Sequence, residues 1–532
     1  MRRDISGDGL FKKGNCMNSK WMRLVFLALF ASFLAARTAS PVTTTGTILG
    51  TVMDPSGGAV PGAEVVIINA NTGELRSYTT DSSGGYEVPE LKPGTYTIRA
   101  KAPGFKTKEI TSIVLQVDQK ARVDVPLEVG AVTETVEVIG AAPLVNTESA
   151  SMGTVITNRR VVSLPLNGRS FVTLAQLVPG ANPGNGTINW EGVGLSINGQ
   201  RGEDNNYMLD GVDNNVQTIG SQSLTISIDA VEEFKVQASS YAAEFGRAGG
   251  SQISIATKSG TNQLHGTLFE FHRDNNLQAR NFFDAAKPGH YVQNQFGGSI
   301  GGPVVIPKVY NGRQRTFFFF NIDRVPYRQA NPIRAYVPPA AFREGDFSSL
   351  STPIINPFTG EPFDGNMIPS TMINPISQKA LVLWPEPNSG DPFAPPNLFV
   401  AASRETNDHQ WTARVDHQLR SSDSLFVRFS LRNQRGFGGS FSPLAGGSGS
   451  ENPVRNLAIN ETHIFSPRVL NEFRAGLNRR QTNTITQNPG HNYAADLGLP
   501  VITDRPGDWG YPGLNVPPYN SAGDGGNDPR PS

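Results

Sequence analysis

Cysteine is all but missing from this 532-residue chain: Cys16 stands alone, just ahead of an apolar run, LVFLALFASFLAA at residues 24–36, that follows Lys20 and Arg23. That run is too short to cross a bilayer as a helix, which takes about 20 apolar residues. It suits the core of a secretory signal peptide, and residues 1–40 are read as that leader. Met17 offers a more compact start, and Arg37 sits where cleavage after Ala39 would favour a small residue. Cys16 precedes the apolar core and so cannot be a lipoprotein acylation cysteine. With the leader removed no cysteine is left, which excludes a disulfide framework and a thiolate metal site. No later apolar stretch reaches the length of a spanning helix, so an exported chain of this kind is periplasmic, secreted or a β-barrel.

Net charge is absent too, with 46 Lys plus Arg against 46 Asp plus Glu, so no global field recruits nucleic acid. The seven histidines are scattered and none has HExxH spacing. Neither a G-x-S-x-G elbow nor a phosphate-binding G-x-x-x-x-G-K loop occurs, so hydrolytic and nucleotide-driven chemistry lack a starting residue. The chain is read as a non-enzyme with no cofactor and no metal. What is abundant is Gly (56) and Pro (39), about 18% of the chain against roughly 12% on average, which favours turns and strands over long helices.

From Gly46 to Val129 short β-prone runs alternate with turn clusters, as expected of a small sandwich with Ile48, Val52, Val65, Ile67, Tyr96 and Ile98 in its core. Residues 130–140, GAVTETVEVIG, form a β-prone stretch suited to strand addition onto another protein's sheet, or to an ordinary final strand. Residues 141–258 mix α and β signals; Phe171, Leu174, Leu177 and Val178 recur at helical spacing before Pro179-Gly180. From 263 onward the period becomes two. Trp411, Ala413, Val415 and Leu419 oppose Gln410, Thr412, Arg414, Asp416 and Gln418, with His417 the exception on the apolar side. After the turn RSSDS, Leu425, Val427, Phe429 and Leu431 oppose Phe426, Arg428, Ser430 and Arg432. One apolar and one charged face over about nine to eleven residues is what a transmembrane barrel hairpin requires. The Pro-rich stretch of about eighty residues between Asp323 and His409, and a Gly/Ser-rich one from Gly436 to Pro453, give the alternation of short turns and long loops found in outer-membrane barrels.

Several segments carry a family resemblance. The order G-T-V-x-D-x-x-G-G-x-V-P-G-A, then D-x-x-G-x-Y and L-x-P-G-x-Y, resembles the carboxypeptidase regulatory-like domain, a carbohydrate-binding-like sandwich without a peptidase site. LPLNGRSF, LDGVDNN, DAVEEFKVQ through SGTNQLHG, NQFGGSIGGP and FFFFNID resemble Oar-like TonB-dependent outer-membrane receptors, over most of residues 46–478. The resemblance implies a mainly β chain: a sandwich at 46–129, a TonB-box-like segment at 130–140 (Glu134, Thr135, Val136, Glu137, Val138), an α+β plug at 141–258, and the first strands of an incomplete antiparallel transmembrane barrel at 263–532. It implies family plug positions at Asp210, Gly211, Asp213, Glu233, Phe234, Glu244, Gly246 and Gly250. It also implies export to the cell outer membrane, contact with outer-membrane lipid, a TonB-type energising partner, and uptake of an extracellular oligosaccharide, siderophore or polypeptide. The alternative is a secreted or surface β-protein that binds glycans through its sandwich.

Further expectations follow. Asp204, Asp210 and Asp213 lack the order of a calcium loop and are assigned to a turn-rich plug loop. Glu232, Glu233, Lys235, Glu244 and Arg247 are expected to pair between plug and barrel wall. Gly297, Gly298, Gly301 and Gly302 are assigned to relieving crowding between wall and plug. In the first wall strand Thr267, Phe269 and Phe271 are expected to face lipid, and Glu270 and His272 the plug. The family's barrel has about 22 strands, whereas this chain reaches about seven, so it is expected to be a fragment that does not transport alone.

Overall fold

A computed structural model describes residues 44–524 except 133–134, 140–151, 165, 167–168, 184–194, 217–220, 240, 242–244, 247–248, 280–288, 467–468, 502 and 507–508. The expected leader therefore lies outside the described residues. Phe245 and Gly246 fall outside the compact unit formed by the rest.

The first ninety residues form two facing sheets. One contains β1 (Gly46–Met53), β4 (Gly85–Leu91), β7 (Lys120–Arg122) and β8 (Val125–Pro126); the other has the order β3 (Leu75–Thr79), β2 (Glu64–Asn69), β5 (Gly94–Lys101), β6 (Thr107–Leu115) and β9 (Thr135–Ile139). Buried and exposed positions alternate along β1, β2 and β5, so each strand gives one face to the core. All six predicted core residues are buried there. The Tyr86 hydroxyl donates to the Val123 carbonyl at 2.5 Å, which gives a buried polar group its partner. Turns DPSGG and DSSGG are built alike: Asp54 and Asp81 each accept bonds from the backbone N–H groups two and four residues on.

The central unit is a sheet ordered β10 (Met152–Thr157), β15 (Val231–Ser239), β16 (Gln252–Thr257), β13 (Asn206–Leu209) and β14 (Val212–Asp213), with the pair β11 (Ala181–Pro183) and β12 (Leu195–Ile197) beside it. The predicted helix is a 3₁₀ segment, Phe171–Leu177. Its Phe171, Leu174 and Val178 are buried, but Leu177 is exposed, a departure from the expected apolar face.

The remainder is an open antiparallel sheet: β17 (His265–Asp274), β18 (Tyr291–Pro303), β21 (Thr316–Ala330), β24 (Ser403–Arg420), β25 (Asp423–Gly438), β26 (Ser448–Ser466) and β27 (Val469–Arg480), with β28 (Asn483–Thr486) pairing β26. One end has short connections, including the hairpin β19 (Val305–Ile306) and β20 (Tyr310–Asn311). The other carries the long ones, in which β22 (Ile333–Ala335) pairs β23 (Leu398–Val400). Residues 331–402, 439–447 and the segment near 520 share a small core of Val337, Leu383, Trp384, Leu398, Phe441 and Ala522, so the two connections lie on one side as predicted. Both are shorter than the sequence suggested, because β21 continues to Ala330, β24 begins at Ser403, and β25 and β26 take in 436–438 and 448–453.

Strand parity matches the alternation read from β24 and β25. Thr412, Arg414, Asp416, Arg428 and Ser430 are buried on the inner face, while Val415 and Val427 are exposed on the outer. In β17 the assignment is reversed. Arg169 of the central unit places its guanidinium 4.6 and 4.2 Å from the ring centroids of Phe269 and Phe271, so these rings and Thr267 face inward. Leu268, 94% exposed, leads the outer set with Glu270 and His272. The cation–π contact decides the facing, against simple polarity. The glycines of β18 are required mainly by neighbouring strands and not by the central unit. A Cβ on Gly297 would lie 2.2 Å from the Ile322 carbonyl, and one on Gly298 would lie 2.6 Å from that of Thr267.

Ile98→Ala, at a fully buried site, is expected to destabilise the sandwich by about 2–5 kcal/mol. Exposed Val114→Ala should change it by less than about 0.5 kcal/mol. Hydrogen exchange along β2 and β5 distinguishes the two outcomes.

Candidate functional site

The site begins at a two-residue turn. Leu209 pairs with Val212, and the Asp210-Gly211 between them takes φ of +48° and +75°, the type I′ geometry that Asp-Gly tolerates. Crowding reinforces the need for glycine: a Cβ on Gly211 would lie 2.2 Å from Arg474 Nη1. The turn aims Asp210 at the inner face of the wall. Its carboxylate accepts bonds from Thr257 N (2.9 Å) and Oγ1 (2.8 Å) on β16, Arg428 Nε (2.6 Å) on β25 and Arg414 Nη1 (3.3 Å) on β24. Arg414 also forms a fork with Asp416, both bonds at 2.9 Å. Burial opposes ionisation of Asp210, but Arg414 and Arg428 hold its carboxyl below the usual carboxylate range.

Two carboxylates and two guanidinium groups thus face one another with little exposure to solvent. Removing one member of such a set leaves a buried charge unopposed, at about 3–5 kcal/mol. A second link joins Ser227 Oγ to Asp323 on β21 (3.0 Å), and Gln295 on β18 donates to the same carboxylate. Phe319 of β21 and Val454 of β26 enter the apolar core of the central unit.

The other sequence-predicted residues are dispersed. Phe234 is buried edge-on against Phe171 at 5.3 Å. Asp213 holds the local turn at Asn215, and Asp204 caps Arg201 N. Gly250 lies where a Cβ would be 2.9 Å from Asn205 Oδ1; one on Gly246 would meet nothing. Glu244 and Arg247 lie outside the described residues. Glu233 and Lys235 do not reach the wall, contrary to expectation. They turn to the sandwich, Glu233 accepting from Val117 N–H and Lys235 donating to Asp118 Oδ2 at 2.8 Å. The reason is parity: β15 presents these side chains on the face that the 116–118 loop covers. What the sequence did not disclose is the wall's half of the cluster, although Arg414, Asp416 and Arg428 were placed on the correct face.

Of the box residues, Glu134 lies outside the described set, and Thr135–Val138 belong to β9. That strand pairs in parallel with β6, Thr107 opposite Thr135 through Ile110 opposite Val138, as the edge of the sandwich's second sheet. Val136 is half-buried; Thr135, Glu137 and Val138 are exposed. The geometry is that of a final strand whose outer edge pairs with no other strand among the described residues.

Burial, with Glu232 adding to it, pushes the Glu233 carboxyl from 4.5 up to about 8 against the Val117 N–H and Lys235. A carboxyl raised in the folded state adds stability that is complete below its unfolded value and is lost as pH rises through the folded one. Stability of this contact should therefore fall between about pH 4.5 and 8. Thermal unfolding of Glu233→Gln should lack that slope.

The family model described as outer membrane beta barrel domain matches residues 256–532, and the one for the carboxypeptidase regulatory-like domain matches residues 47–128. The TonB-dependent transporter Oar of Myxococcus xanthus is 32% identical over 281 residues, 50% of this chain and 26% of the relative, so the chain spans about a quarter of that protein's length. Among solved structures, the outer membrane transporter YddB of Escherichia coli aligns with a TM-score of 0.43 at 10% identity, covering 63% of this chain and 40% of that one. The siderophore receptor PiuA of Acinetobacter baumannii aligns with 0.34 at 13%, covering 63% and 46%. The barrel family model and the Oar relative do not favour the glycan-binding alternative, and they indicate the outer membrane. The chain belongs to the outer membrane β-barrel domain family, carries a carboxypeptidase regulatory-like domain, and is a homologue of the Oar TonB-dependent transporter.

Proposed function

We propose that the chain acts as part of a TonB-dependent outer-membrane receptor: residues 1–40 direct export, 130–140 are the TonB box, 141–258 are the plug, and residues 263 onward are barrel wall. The observation that carries this is the Asp210 cluster, in which buried ion pairs join the central unit to the inner face of the open antiparallel sheet. In this reading the short-turn end is periplasmic and the long-loop end extracellular, with lipid against the outer face. An oligosaccharide, siderophore or polypeptide enters from the loops. It passes when an energised TonB protein adds its strand to the open edge of β9 and pulls, main-chain bonds supplying the grip.

A pull must separate Asp210 from two guanidinium groups that sit on different wall strands. Low dielectric makes that cluster strong while intact and makes an unpaired member costly. The plug therefore resists thermal displacement and yields to directed force.

Asp210→Asn keeps the turn but removes the charge, and should loosen plug from wall by about 3–5 kcal/mol. Faster proteolysis within 206–257 in the detergent-solubilised chain would report it; unchanged proteolysis would remove the cluster from its assigned role. Deleting Glu134–Val138 should abolish binding of a TonB C-terminal domain in calorimetry, and retained binding would mean that the box lies elsewhere.

A further inference from the structure

The sandwich and the plug are joined by a contact that neither transport through a barrel nor strand addition at β9 requires. The connection from β6 to β7 is a built turn: Asp118 takes a φ of +51°, its N–H donates to the Thr45 carbonyl at 3.0 Å, and Gln116 N–H donates to Gln119 Oε1 at 2.8 Å. Its tip enters the plug. Val117 is fully buried and its N–H donates to Glu233. Lys235 Nζ bonds both the carbonyl (2.9 Å) and the carboxylate (2.8 Å) of Asp118, and Gln237 Nε2 reaches the same carboxylate at 3.1 Å. Three successive inward positions of β15 are thus held by two residues.

A second foothold lies on the wall. Lys92 Nζ is 2.7 Å from Asp416 Oδ1 and so joins the sandwich to the Asp210 cluster through Arg414. Asn262 completes the set, its N–H donating to the Asn71 carbonyl at 3.0 Å and its side-chain amide to Thr72 O. Between these contacts lies a polar cavity of about 110 Å³, lined by Glu90, Lys92, Glu232, Thr257, Arg414 and Arg474. The sandwich forms one side of that cavity, and Asp210 lines the other.

We propose that the sandwich is a latch: its 116–118 loop and Lys92 hold the plug strand β15 and the wall together, and β6 carries a pull on β9 to that loop. This rests on the plug and TonB-box assignments above. The route is short. β9 is hydrogen-bonded along β6, and β6 ends at Leu115, one residue before the turn that grips the plug. Force applied at β9 is delivered to β15 through the contacts of the 116–118 loop. The carboxypeptidase regulatory-like domain thereby gains a mechanical role in place of a ligand-binding one.

Two variants of the full chain, followed in detergent by hydrogen exchange, test it. Asp118→Ala with Lys92→Ala should speed exchange across Val231–Ser239 by about tenfold or more while β1, β2 and β5 keep wild-type protection. Unchanged exchange in β15 would overturn the latch. Val136→Pro with Val138→Pro lifts β9 from β6; it should quicken β6 and β15 together, whereas quickening of β6 alone would overturn the route. Neither readout involves TonB, so failure of the box assignment in calorimetry and failure of the latch remain distinguishable.

Discussion

One carboxylate sets the geometry of the interface. Burial works against the charge of Asp210, two guanidinium groups on adjacent strands converge to oppose that cost, and each of those groups is positioned by something else. Arg414 is steadied by its fork with Asp416, and Arg428 by bonds to Ser430 and Asn456. The strand register supplies the convergence: Arg414 and Arg428 stand directly opposite one another on β24 and β25. A slip by one residue would turn both to the outer face and leave Asp210 buried alone. The central sheet can therefore seat against the wall in one register only, and a charge that would be ruinous unpaired becomes the element that specifies the fit.

Much of the fold was legible because period and turn chemistry are local. Ile48, Val52, Ile98 and their neighbours alternate with polar residues, so the core of the sandwich could be named; the same parity placed Thr412, Arg414 and Ser430 inward. The Asp-Gly pair marked a turn. Periodicity failed in β17, where an aromatic set reads as lipid-facing but is drawn inward by Arg169, about a hundred residues earlier in the chain. It failed again for Glu233 and Lys235. Their polarity announced a buried partner, yet nothing in the local sequence says whether wall or sandwich covers β15. Pairings between distant segments are tertiary facts, and one sequence records each half without the match.

The three parts of the chain meet in a chain of charges: Lys92 from the sandwich, Asp416 and Arg414 from β24, and Asp210 from the turn of the central unit. Such a series is strongly cooperative in a low-dielectric setting, since each ion's solvation is replaced by its neighbours. The sandwich, the central unit and the open sheet are consequently not independent modules strung on linkers. A change in one reaches the next through electrostatics as well as through backbone.

The cap at the long-loop end has a different consequence. Its small core draws Val337, Leu383, Trp384 and Leu398 from one connection, Phe441 from a second and Ala522 from a third. Asn520 stitches them further, exchanging backbone and side-chain bonds with Tyr336 and receiving the Trp384 indole N–H. Connections bound in this way behave as a miniature globule instead of separate flaps. The exterior of this globule can thus change by substitution, as residues displayed on a stable frame do, without disturbing the strands that hold it.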